Sequence, residues 1–175
     1  MKENGRNLET SILNDAFYQE CISLAQLSKG DERYGSLLVK NGKIIGKGYN
    51  RAIVHRSFPK LKRIIYQGYA NHAEIEALND ALMKKRGVKN AEIYVGGYFP
   101  KENGLLFLHH EFTCTKCVPI LASYKVSKIN VPTPYGWISK NMDEALEEAG
   151  SYLGGTYKNR IVSVMGRLKL GDLAR

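Results

Sequence analysis

Four side chains have types and spacings suited to metal chemistry: His72 and Glu74, two positions apart, and Cys114 and Cys117, three apart. Each pair is weak by itself. A His-x-Glu at a helix start is commonly incidental. A lone Cys-x-x-Cys is equally a redox pair or half of a structural zinc site. A closed structural site needs a fourth protein ligand. His55, His109 and His110 are available for it, but none stands at a spacing that demands the role. Taken together, one imidazole and two thiols supply three ligands and leave one position of a tetrahedral zinc ion for water, which is the composition of a catalytic site. Cysteines three apart share one face of a helix, and a helix N-terminus favours the ligating thiolate. Glu74, two positions from His72, points elsewhere on a regular helix. It reads as a proton carrier over the same cavity rather than as a ligand; taken alone it would simply complement the helix dipole.

These residues need elements to position them. HAEIEALNDALMKKRG has Ile75, Leu78, Ala81 and Leu82 at helical spacing with Gly87 beyond its end, so His72 opens a helix. CTKCVPILASYKV reads as a second helix opened by the cysteines, with Pro119 in its first turns. Upstream, Leu8 to Lys29 carries a long helical pattern that Gly30 stops. YGSLLVK and KIIGKGYN flank Asn41-Gly42, a hairpin with a tight primed turn. AEIYVGGY and SKINVP read as further strands, and MDEALEEAG as a short acidic helix with a solvated face. Residues 51–70 and 99–113 are long connections, and long connections in a compact domain are commonly functional. In the tail, 151–175, IVSVM reads as a strand and LKLGDLAR as a fraying end. The order α-β-β-α-β-α-β-α predicts an α/β fold with helices on both faces of a mixed sheet.

The whole chain is 175 residues, 43% hydrophobic, and has the size of one domain. The expected organisation is a single unit over 1–175, with a core at about 31–150, an N-terminal helix at 8–29 and a variable tail at 151–175. No apolar run approaches a bilayer span, and MKENGRNLET lacks the apolar stretch of a secretory signal. The expectation is a cytoplasmic protein, with no membrane partner and with reduced thiols. Three cysteines do not make a disulfide framework, and Cys21 reads as a small buried hydrophobe. A net charge of +9 favours an anionic partner, either a nucleotide phosphate or a polynucleotide.

The His-x-Glu and Cys-x-x-Cys pairs, in this order, resemble the signature of the zinc-dependent cytidine/deoxycytidylate deaminase superfamily. The resemblance covers roughly residues 31–150. It implies a three-layer α/β/α fold with a mixed five-stranded sheet, zinc held by His72, Cys114 and Cys117, and Glu74 as proton shuttle. It also implies a homo-oligomer. Gly48-Tyr49-Asn50 resembles the superfamily's Gly-x-Asn, which implies that Asn50 hydrogen-bonds the nucleoside and that the Ala73 backbone helps read the base. The long connection before His72 looks most like the deoxycytidylate deaminase branch, where it helps hold the nucleotide. Three departures stand out. Thr113, a good helix cap, replaces the usual proline. His72 and Cys114 stand 42 positions apart, and His110-Glu111-Phe112 replaces Thr-x-Glu.

Other residues have bland and functional readings side by side. Arg51, Arg56, Lys60, Lys62 and Arg63 could grip a phosphate or form a solvated loop face. His55 could touch substrate or a second metal. Tyr98 and Phe99 could stack on a base or pack in the core, and Trp137 reads as core. The expected activity is hydrolytic deamination of cytosine in a nucleotide such as dCMP. The same chemistry on cytosine or adenine in transfer RNA or single-stranded DNA, or on guanine or another free base, stays open. So does a non-catalytic, zinc-stabilised nucleic-acid-binding scaffold.

Overall fold

The computed structural model describes residues 11–30, 33–52, 70–99, 104–106, 117–133 and 135–151. A short 3-10 turn, Ser11–Asn14, leads into α1 (Ala16–Ala25). The two are separated by Asp15, whose carboxylate accepts the Tyr18 N–H at 2.9 Å. Of the helix expected at 8–29, residues 8–10 lie outside the described residues and the rest forms two pieces, because apolar spacing continues through Asp15 while its side chain caps a new helix.

Strands β1 (Arg33–Lys40) and β2 (Lys43–Tyr49) form the expected hairpin. Asn41 and Gly42 hold φ of 51° and 71°, the two left-handed residues of a primed turn. Arg51–Ala52 (β3) and Ala70–Asn71 (β4) make a separate two-stranded ladder at the two ends of the first long connection. Next come α2 (Ala73–Met83), β5 (Glu92–Phe99) and a short β6 (Gly104–Leu106). The chain continues through α3 (Cys117–Ser123), β7 (Lys128–Thr133), β8 (Gly136–Asn141) and α4 (Met142–Ser151).

The main sheet runs β2-β1-β5-β7-β8, with β6 paired to the far end of β5. Among the described residues, only β5 and β7 are parallel; the other ladders are antiparallel. This is the mixed sheet expected from the sequence, with five strands in its path. Four strands went unforeseen, among them β3 and β4 at the ends of the connection 51–70. Strand β8 folds straight back from β7, and β6 lies inside what reads as a plain connection. The tail segments IVSVM and LKLGDLAR lie outside the described residues.

The strand pleat sends alternate residues of β1 to opposite faces. Leu37 and Val39 meet α1 through Cys21, Phe17 and Leu24, together with Tyr94 and Trp137. Leu38 meets the opposite layer, where Ile75, Leu78, Val118, Leu121, Met142 and Ala145 come from α2, α3 and α4. Both faces are thus covered, giving the three layers. Helix α1 lies directly on the sheet at Gly35, where an added Cβ would stand 1.9 Å from the Cys21 carbonyl oxygen. Cys21 is fully buried. Burial pushes its thiol far above the ordinary range, with Glu20 and Asp15 adding to the shift, so it stays the small hydrophobe its surroundings suggest. Trp137 packs edge-on against Tyr94, with ring centroids 4.9 Å apart, and belongs to the α1-side core as expected.

Candidate active site

The first two of the four chemistry-bearing residues stand at the N-terminus of α2, His72 as its cap and Glu74 in its first turn, and glycines set the depth of the helix. On β2, an added Cβ at Gly48 would lie 2.3 Å from the Ala77 nitrogen and 2.4 Å from the Ala73 oxygen. At Gly46 it would lie 2.1 Å from the Ala77 oxygen. Glycine at both positions lets the helix backbone rest on the strand backbone. Asp80 fastens the contact by accepting the Lys47 N–H at 3.0 Å.

His72 is the N-cap residue of α2. Its backbone is extended (φ −75°, ψ 155°), and its side chain makes no capping hydrogen bond. That position normally goes to Ser, Thr, Asp or Asn, which bond the helix end. Here the imidazole turns instead to Cys117, with Nδ1 3.5 Å from Sγ. Because His72 is outside the helix proper, the rule that separates residues two apart does not apply to it and Glu74. One ligand atom each from His72, Glu74 and Cys117 lies within 4.8 Å of the others. Cys117 opens α3 and is fully buried, and Pro119 two residues later suits a first turn, where its missing N–H costs nothing. Glu74 is only 5% exposed. A carboxylate so deep must be paired, hydrogen-bonded or bound to a metal.

The donors fit zinc. Ligand bonds of about 2.3 Å to sulfur and 2.0–2.1 Å to nitrogen, at a tetrahedral angle, imply a nitrogen–sulfur separation of about 3.6 Å. The observed 3.5 Å between His72 and Cys117 meets that value. Cys114, the remaining member of the set, lies outside the described residues, as do His55, Arg56, Lys60, Lys62, Arg63, His109 and His110.

The other candidates lie around the same helix end. Asn50 follows β2; its Oδ1 accepts the Tyr34 N–H at 2.7 Å, and its own N–H donates to the Tyr34 carbonyl at 3.1 Å. Ala73, the first residue of α2, is fully buried. Arg51 is paired with a partner the sequence did not single out: its Nη2 is 2.7 Å from Oε2 of Glu76. The signal for Glu76 was an acid four positions after His72, on a helix whose neighbouring residues are apolar. Tyr98 and Phe99 are the last two residues of β5, with Tyr98 opposite Arg33 in one ladder and Leu105 in another.

A family model described as the cytidine and deoxycytidylate deaminase zinc-binding region matches residues 12–133, well over half of the chain. The chain belongs to this family. It is therefore a zinc-dependent deaminase, a hydrolase, and the donors at His72 and Cys117 suit its metal. Among solved structures, this deaminase is similar to the dCMP deaminase of cyanophage S-TIM5. The apo form is 20% identical, over 65% of this chain and 77% of that one, with a TM-score of 0.47. The same enzyme with dCMP and dUMP is 19% identical, over 67% and 78%, also at 0.47. A diaminohydroxyphosphoribosylaminopyrimidine deaminase/5-amino-6-(5-phosphoribosylamino)uracil reductase of Thermotoga maritima is 18% identical, over 83% of this chain and 36% of that one, at 0.41. No curated protein matches the sequence. Among the described residues, no helix of the deaminase is long and apolar enough to cross a membrane.

Proposed function

We propose that the deaminase acts on cytosine carried by a nucleotide, a dCMP-like substrate, giving uracil and ammonia. The observation that carries this reading is the meeting of His72, Glu74 and Cys117 at one point between two helix starts. His72, Cys114 and Cys117 would hold the zinc. When bound there, zinc acts as a Lewis acid that makes water nucleophilic near neutral pH. Glu74 is then left to move protons. Its carboxylate takes one from the attacking water as the new C–O bond forms at C4 of the base. It returns a proton to the exocyclic nitrogen as the C–N bond breaks, so that nitrogen leaves as ammonia. Burial of Glu74 keeps bulk water from competing for that proton.

The nucleotide form is supported by Arg51, which opens β3 beside Asn50 and whose side chain is 38% exposed. Asn50 and Arg51 would bind the sugar and phosphate, the Ala73 backbone would read the base edge, and Tyr98 would stack on the base. The overall charge of +9 draws anions toward this surface. The test is ammonia release across cytosine, deoxycytidine, dCMP, guanine and cytosine-containing single strands. Turnover highest on dCMP is expected. Salt-sensitive turnover of single strands with none on dCMP would transfer the substrate to polynucleotides, and no release from any of them would remove the cytosine assignment.

A further inference from the structure

Glu76 is 6% exposed, yet it is neither a proposed ligand nor a proposed proton carrier. Its surroundings give it a different task. Asn71, the residue before His72, stands opposite Arg51 in the β3–β4 ladder. On the other side of His72, the Glu76 N–H donates to the His72 carbonyl at 3.1 Å. The ion pair between Arg51 and Glu76, at 2.7 Å, joins these two ties. The result is a closed circuit through the histidine: from Arg51 across the ladder to Asn71, along the chain to His72, up the first helical turn to Glu76, and back through the ion pair.

We infer that Glu76, acting through Arg51, is a positioning residue for His72. The pair keeps the strand that precedes the imidazole seated against the helix that follows it. This rests on the zinc site proposed above and is independent of which substrate the enzyme takes.

Energetics favour a geometric role over a stabilising one. Taking a carboxylate out of water costs about what its attraction to a partner returns, so such a pair adds little net stability. Arg51 is 38% exposed and water can solvate it if Glu76 loses its charge. A ladder of two residues per strand, however, is too short to hold itself. The pair adds a second tie to the backbone on the N-terminal side of His72. Metal-ligating histidines depend on such outer contacts for their orientation, and losing one typically weakens metal binding about 10- to 100-fold.

The experiment measures zinc affinity by chelator competition, with the thermal midpoint of the metal-free form recorded for each protein. Glu76→Gln keeps the shape and removes the charge. It is expected to weaken zinc binding about 10- to 100-fold while the metal-free midpoint hardly moves. Arg51→Lys keeps a cation within reach and should fall between Glu76→Gln and the parent. Unchanged zinc affinity in Glu76→Gln would overturn the inference, as would a loss of affinity no larger than the loss of stability. Should Glu76→Gln fail to fold, Arg51→Lys against Arg51→Gln decides: better zinc binding by the lysine variant supports the role, and equal binding overturns it. Because the readout is metal affinity, it stands even where the cytosine-nucleotide assignment fails.

Discussion

At the scale of single residues, chemistry is concentrated where one carboxylate is buried beside two ligand atoms. Glu74 can serve there only if its proton traffic matters to the rate. Glu74→Gln is therefore expected to lower kcat by about 10²- to 10⁴-fold, the usual worth of a positioned acid–base group, while zinc content stays at the parental level. Steady-state ammonia release and metal analysis together check this; a variant as active as the parent contradicts it. The sequence made His72, Glu74 and Cys117 legible because metal chemistry restricts residue type and spacing so tightly. It did not make Glu76 legible, since an acid in a helix's first turn has an ordinary reading as a partner of the dipole. Only the fold brings Arg51, 25 positions earlier, to its carboxylate.

At the scale of elements, the depth of α2 on β2 decides whether the site assembles. Gly48→Ala puts a methyl group against rigid backbone at Ala77 and Ala73. It should destabilise the protein by about 1–3 kcal/mol or more through overpacking and weaken zinc binding by lifting His72. Gly42→Ala meets nothing within 4 Å; its only burden is a φ of +71°. About 1–2 kcal/mol is expected from that backbone strain, with zinc affinity unchanged. Urea unfolding and metal titration of both variants separate the two cases, and equal zinc affinities would contradict this role for α2. The hairpin was legible because Asn-Gly has one dominant structural use. Strand β8 was not: its pattern lacks the strict alternation of a strand with one buried face. Periodicity likewise ran through Asp15, because apolar spacing cannot see a side chain that caps a new helix.

At the scale of the whole molecule, two cores pack on opposite faces of one sheet, and Cys117 of the site belongs to the core built with α2, α3 and α4. The α1-side core contains ionisable groups that are stable only when neutral. Burial, with Cys21 adding to it, pushes the Tyr18 hydroxyl up to about 12. Burial, with Glu92 beside it, pushes Tyr94 up to about 12 as well. An unfolded tyrosine ionises near 10, so the unfolded chain gives up these protons first. The stability they contribute is complete below about pH 10 and is lost as pH climbs through 10 toward 12. Urea unfolding across that window should show the decline, and Tyr94→Phe should make it shallower; a flat profile in the parent would contradict the burial argument. The layer order was legible in the alternation of strands and helices, whereas the packing of Trp137 against Tyr94 came only from strand β8 folding back.

All of these scales meet in the metal. The most direct test is the X-ray absorption spectrum of the zinc-loaded protein, read for the number of sulfur neighbours. Two sulfurs at about 2.3 Å and two lighter atoms, nitrogen and oxygen, at about 2.0–2.1 Å are expected, falling to one sulfur in Cys114→Ser. A single sulfur in the parent, with a carboxylate occupying the position assigned to Cys114, would contradict the zinc site on which the mechanism depends.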